Sequence, residues 1–153
     1  MEKFNYDTNN YDFAKEIQKL YNITNLDEIH SEWVDSTEYG VLDDVKTDQK
    51  TVYHKHFYDN VSTTEWYSIY RRFIKEVVVD IVGEPIYFQK IPTFRVQQPN
   101  NLAVAAYHKD SDYSHSVHER NFFLPLTNAV GNNTVWVESE EGKEDYSPME
   151  AKY

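Results

Sequence analysis

Two residues in the stretch AAYHKDSDYSHSVHER, residues 105 to 120, have the types and spacing to hold a metal ion: His108 and Asp110. In an extended chain, positions two apart project to the same side, roughly 6.5 Å apart along the backbone, so one imidazole and one carboxylate can aim at a common point. On a helix the same spacing would splay them apart. A neutral imidazole with a carboxylate suits a divalent iron whose open positions take oxygen and a chelating substrate, once a second histidine completes the facial set. With six histidines and twelve aspartates in 153 residues, chance readily supplies such a pair. A solvated loop histidine beside an acid is therefore the competing account.

The other histidines divide in the same way. His115 and His118 lie close enough to suggest a cupin-like zinc or manganese site with His108 and Asp110, although ligands of one tight loop seldom surround an ion unaided. Their other reading is a rim or surface role. His54 and His56, in YHKHFYD, alternate as ligands on a strand would, yet they precede a helix and have no carboxylate nearby; they read as packing or loop residues. SEEGKED reads as a solvated acidic turn. Neither a glycine-rich phosphate loop, a Ser-His-Asp order around a glycine elbow nor an HExxH helix occurs, which leaves metal chemistry as the candidate chemistry.

What must position these groups is a chain that changes period midway. In NNYDFAKEIQKLYN, Phe13, Ile17, Leu20 and Tyr21 recur at helical spacing. NLDEIHSEWV is a second candidate helix, with Asn25 and Glu28 spaced as a capping box. Glu38 to Gln49 has no period and reads as loop. STTEWYSIYRRFIKEVVVDIVGEP gives the strongest helix: Ser62 and Glu65 are spaced as a capping box, Trp66, Ile69, Tyr70, Phe73, Ile74, Val77 and Ile81 form one apolar stripe, and Gly83 and Pro85 end it. From Ile86 the period moves towards two, in IYFQK, TFRVQQ, LAVAAYH, NFFLPLT and TVWVES. NAVGNN between the last two predicts a hairpin turn around Gly131. Helices first and about five strands after predict an α+β fold, one domain over residues 1–153, helical to about 84 and β-rich from about 85.

Composition bounds the partners. Twenty-six acidic against fifteen basic residues give a formal charge of −11, which repels nucleic acid and anionic membrane surfaces. Aromatic residues make up 16% and must fill much of the core. The chain has no cysteine, which excludes disulfides and thiolate sites. A polar N-terminus and the lack of a long apolar run predict neither a signal peptide nor a spanning helix, and hence a cytoplasmic address.

YFQKIPTFRVQQPN, then YHKDSDYSH, then ERNFFLPLTNAVGNNTVWVESEEGKEDYSP together resemble a subgroup of the iron(II)/2-oxoglutarate-dependent oxygenases, the streptomycin-biosynthesis type that is common in phage genomes. The resemblance runs from about Ile86 to Tyr153. It implies a double-stranded β-helix, or jelly roll, with N-terminal helices packed on it and iron at its mouth. It makes His108 and Asp110 the first two iron ligands, Arg95 and Tyr113 substrate-side residues, and Asn121, Asn133 and Trp136 part of a cosubstrate-facing wall. Its cofactors would be Fe(II), 2-oxoglutarate and molecular oxygen, and its reaction the hydroxylation or related oxidation of a small molecule.

The family pattern continues with a third ligand, a histidine on a later strand, followed by an arginine for the cosubstrate. This sequence has no histidine after His118 and no arginine after Arg120. The expectation is a jelly roll incomplete at its C-terminus, with an open edge that favours self-association or a complementing C-terminal segment. The rival reading is a non-enzymatic jelly-roll remnant that binds a sugar or a protein partner.

Overall fold

The computed structural model describes residues 2–33, 51–99, 107–109, 112, 115–116 and 118–153. The expected loop from Glu38 to Gln49, and most of LAVAAYH, lie outside the described residues.

Helix α1 spans Phe13–Tyr21. Asp12 caps it by accepting the Lys15 N–H at 3.1 Å, and Asn22, at φ 52°, ends it in the left-handed conformation that asparagine tolerates. Phe13, Ile17 and Tyr21 of the predicted stripe are buried, while Leu20 packs only partly. A 3₁₀ turn, Leu26–Glu28, leads into α2, Ile29–Glu32. Asn25 caps that turn by accepting the Asp27 N–H at 3.0 Å. The carboxylate that reaches back is Glu32, taking the Thr24 N–H at 2.7 Å, where the spacing had predicted Glu28.

Helix α3, Val52–Asn60, buries Tyr53, His54 and Phe57. It holds both histidines of YHKHFYD, which the sequence had placed ahead of the helix. A 3₁₀ turn at Val61–Thr63 takes up Ser62, so the cap of the next helix falls on Thr64, which is extended at φ −100° and ψ 165°. From there α4 (Glu65–Phe73), a π turn (Ile74–Val78) and α5 (Val79–Val82) form one continuous helix. The wider turn places Val78 in the core, whereas Val77 of the predicted stripe is only partly buried. Gly83, at φ 78°, stops the helix as expected, its N–H bonded to the Val79 carbonyl at 2.8 Å.

Aromatic rings fill the space between these helices. Phe13 meets Phe73 edge-on at 5.3 Å and Trp66 at 5.5 Å, and Phe57 meets Trp66 at 5.3 Å. The TFRVQQ run joins this core with the predicted period of two: Phe94 and Val96 face in, Thr93, Arg95 and Gln97 face out.

Among the described residues the strands are β1, Trp136–Val137, and β2, Ser147–Pro148, antiparallel with Trp136 opposite Pro148 and Val137 opposite Ser147. A Met149 N–H bond to the Val135 carbonyl at 2.8 Å and a bridge between Ala129 and Ala151 continue the pairing. The turn in NAVGNN forms, with Gly131 at φ 56°, but TVWVES pairs with the chain that follows it and not with NFFLPLT. The chain reverses in the acidic segment, where Gly142 and Glu144 both take positive φ. The end of this ladder reaches α1: the Tyr153 hydroxyl accepts the Ala14 N–H at 3.1 Å, and Lys3 Nζ donates to the Glu150 carbonyl at 2.6 Å. Among the described residues no helix is long and apolar enough to cross a membrane.

Candidate metal centre

The segment carrying His108 is anchored from both sides. Tyr107 lies parallel on Tyr146, ring centroids 3.6 Å apart and planes 9° apart. The Lys109 ammonium is paired with the Glu141 carboxylate, which raises the lysine's pKa. Its backbone N–H donates to Asp112 Oδ2 at 3.1 Å, and the Asp112 N–H returns to the Lys109 carbonyl at 3.0 Å. Tyr107 and Lys109 thus both meet the 138–146 turn, and His108 between them is exposed. Asp110 and Tyr113 lie outside the described residues.

The turn itself is built by its carboxylates. Glu138 Oε2 accepts the Glu144 N–H at 3.1 Å; with help from the Gly142 N–H and the Lys109 charge, this holds the Glu138 carboxyl below the usual range. Asp145 accepts the Ser139 N–H at 2.9 Å and its hydroxyl at 2.7 Å, and its pKa is lowered by these bonds. SEEGKED is exposed, as a solvated acidic turn should be. What the sequence reading missed is that this turn grips the histidine segment. The available signal was Tyr107 and Lys109 alternating about His108, an aromatic and a cation that both find partners in EGKEDY.

The remaining predicted site residues are spread along the β-rich part. Asn133 closes the NAVGNN turn, its Oδ1 accepting the Val130 N–H and its Nδ2 donating to the Asn128 carbonyl at 3.1 Å. Trp136, 38% exposed, donates from Nε1 to the Gly131 carbonyl at 3.1 Å. Asn121 is exposed. Arg95 is exposed on the outward side of its run, and its charge reaches His54.

Of the other imidazoles, His115 is exposed with Nδ1 2.9 Å from Glu119 Oε2, and the His118 N–H donates to Ser116 Oγ at 3.2 Å. His54 is buried against Thr51, 2.7 Å from its hydroxyl, and burial together with the Arg95 charge pushes its pKa down to about 4. His56 packs between Tyr21 and Trp33 and bonds the Leu20 carbonyl at 3.0 Å, the packing role expected of it. Among the described residues no group of three His, Asp or Glu side chains gathers as a metal site.

Over 104 residues the chain is 43% identical to streptomycin biosynthesis protein StrG of Streptomyces griseus. The matched region takes in 68% of this chain and 51% of that protein, so the chain spans about half the length of the curated relative it matches. No family model matches the sequence. No solved structure matches it.

Proposed function

We propose that the chain is part of a non-haem iron(II)/2-oxoglutarate-dependent oxygenase that acts on a small molecule in the cytoplasm. The observation that supports it is the anchoring of Tyr107 and Lys109 on the 138–146 turn, which ties the segment of His108 to the turn that follows the Trp136 strand. Similarity to a protein named for streptomycin biosynthesis supports a role in small-molecule metabolism. A jelly roll with the α-helices packed on it is the fold this reading entails, β1 and β2 being two of its strands.

The donor types fit the metal. An exposed imidazole at His108 and a carboxylate two residues on, at Asp110, are ligands that divalent iron accepts. Bound iron with 2-oxoglutarate would supply the oxygen chemistry, coupled to decarboxylation to succinate. In this reading the protein's own groups orient and enclose: Arg95 offers a fixed positive charge to an anionic cosubstrate or substrate, and Asn121, Asn133 and Trp136 shape the wall. The same reading gives Tyr113, which the resemblance puts on the substrate side, the role of closing over bound substrate. The third imidazole and the distal arginine of the family pattern have no counterpart after His118 and Arg120 in this sequence, and in this reading a complementing segment or a second chain supplies them.

The test is succinate release from 2-oxoglutarate by the full-length gene product, with ferrous iron and oxygen. Turnover that disappears in His108→Ala and in Asp110→Ala is expected. Equal turnover in variant and wild type, or none in either, overturns the proposal.

One observation favours a second reading, a cupin-like metal protein. His115 Nδ1 lies 2.9 Å from Glu119 Oε2, a carboxylate partner of the kind that orients many metal-binding imidazoles. Zinc or manganese retained by the purified protein and lost in His115→Ala, with no dependence on 2-oxoglutarate, would decide for it.

A further inference from the structure

We infer that the acidic 138–146 turn is a positioning bracket for His108, with Tyr146 and Glu141 as the residues that set where its imidazole stands. This deepens the metal-site reading and rests on it only for the identity of the ion.

Three features support the assignment. The residues on either side of His108 are fixed to the same short turn by contacts of different kinds, a ring stack and an ion pair. Two grips on the residues that flank His108 restrict the backbone between them, and with it the point from which the imidazole projects. The turn is also stiff enough to serve as a reference. Glu138 and Asp145 tie its backbone from within, and β1 and β2 join its two ends. The Asp112 carboxylate, by accepting the Lys109 N–H while its own N–H returns to the Lys109 carbonyl, ties the histidine segment into a local turn.

The two grips contribute unequally. Lys109 and Glu141 are exposed, and water and salt screen such a pair. The stack of Tyr107 on Tyr146 covers apolar surface and is indifferent to salt. The acidic residues of the turn therefore act mainly to build it, and Tyr146 supplies most of the hold.

Two measurements on the whole chain test the bracket. The first needs no metal: hydrogen exchange of the Lys109 amide. It should quicken by about tenfold in Tyr146→Ala and by roughly threefold in Glu141→Gln, and Tyr146→Phe, which keeps the ring, should restore the wild-type rate. The second is anaerobic titration with Co(II), whose affinity should fall in the same order, while Lys109→Glu combined with Glu141→Lys recovers most of the loss. Unchanged exchange in Tyr146→Ala overturns the bracket whatever the metal does. Wild-type chain that binds no Co(II) counts against the metal-site reading, and the exchange rates then decide the bracket alone. Co(II) affinity lost in His108→Ala but equal in wild type and Tyr146→Ala overturns the positioning role.

Discussion

Phe94 lies flat on Phe57, ring centroids 4.2 Å apart and planes 9° apart, with the Phe94 N–H donating to the Tyr58 hydroxyl at 3.0 Å. This stack joins the TFRVQQ run of the β-rich part to the middle of α3. Phe57 is fully buried, so Phe57→Ala opens a cavity and should cost about 3–5 kcal/mol. Phe94→Ala should cost less, about 2–3 kcal/mol, because Phe94 is only partly buried. Urea unfolding of both variants checks the ranking. A larger loss in Phe94→Ala would mean that the extended run, and not the helices, organises the core.

The readable parts of the sequence were those where local pattern and tertiary packing agree. The stripe from Trp66 to Ile74 and the alternation of Phe94 and Val96 follow periodicity because each faces one aromatic core. Helix α3 was less legible: Val52, Tyr53, His54 and Phe57 are poor or middling helix formers that packing holds in place. The cap expected at Ser62 fell on Thr64, and the carboxylate expected to reach back to the Asn25 cap was Glu32 and not Glu28, because a 3₁₀ turn precedes each helix and shifts its entry. The hairpin was misread because NFFLPLT and DYSPME carry equally plausible strand patterns, and the positive φ that reverses the chain falls on Glu144 as well as on Gly142, where no sequence rule expects it. At the site, His108 and the acidic turn were each legible alone; their contact joins residues more than thirty apart and could not be seen locally.

Gly83 ends the long helix at φ 78°, with open space where a Cβ would stand. The cost of Gly83→Ala is therefore conformational and not steric, about 1 kcal/mol. Asn at this position should recover part of it, since Asn tolerates the left-handed region better than Ala does. Thermal unfolding of the two variants should rank them wild type, Asn, Ala. An alanine variant as stable as wild type would contradict the positive φ.

Trp136 is 38% exposed on β1, whereas Trp66 is buried and Trp33 packs against Tyr21, Tyr53 and His56. Acrylamide, being neutral and so insensitive to the chain's negative charge, should quench one fraction of the tryptophan emission readily and the rest poorly. Trp136→Phe should remove the easily quenched fraction. It also deletes the N–H bond to Gly131, which should cost at most about 1 kcal/mol at so exposed a site. A quenching curve unchanged by Trp136→Phe would place a different indole at the surface.

His54 gives the fold a specific acid sensitivity. Burial first, and then the Arg95 charge, push its pKa from 6.5 to about 4. The unfolded chain therefore binds more protons than the folded one between those values. Stability from keeping His54 neutral is fully present above pH 6.5 and is lost as the pH falls towards 4; by pH 5 the loss is about 2 kcal/mol. The window from pH 6.5 to 5 lies above the ordinary carboxylate range, so this loss can be separated from protonation of Glu138 and Asp145, which weakens the acidic turn at lower pH. His54→Gln has nothing to titrate and should flatten the urea midpoint across that window, even if it lowers stability at pH 7 by disturbing the contact with Thr51. Arg95→Gln should raise the His54 pKa and make the slope shallower. A midpoint that falls as steeply in His54→Gln as in wild type would mean that another group carries the acid response.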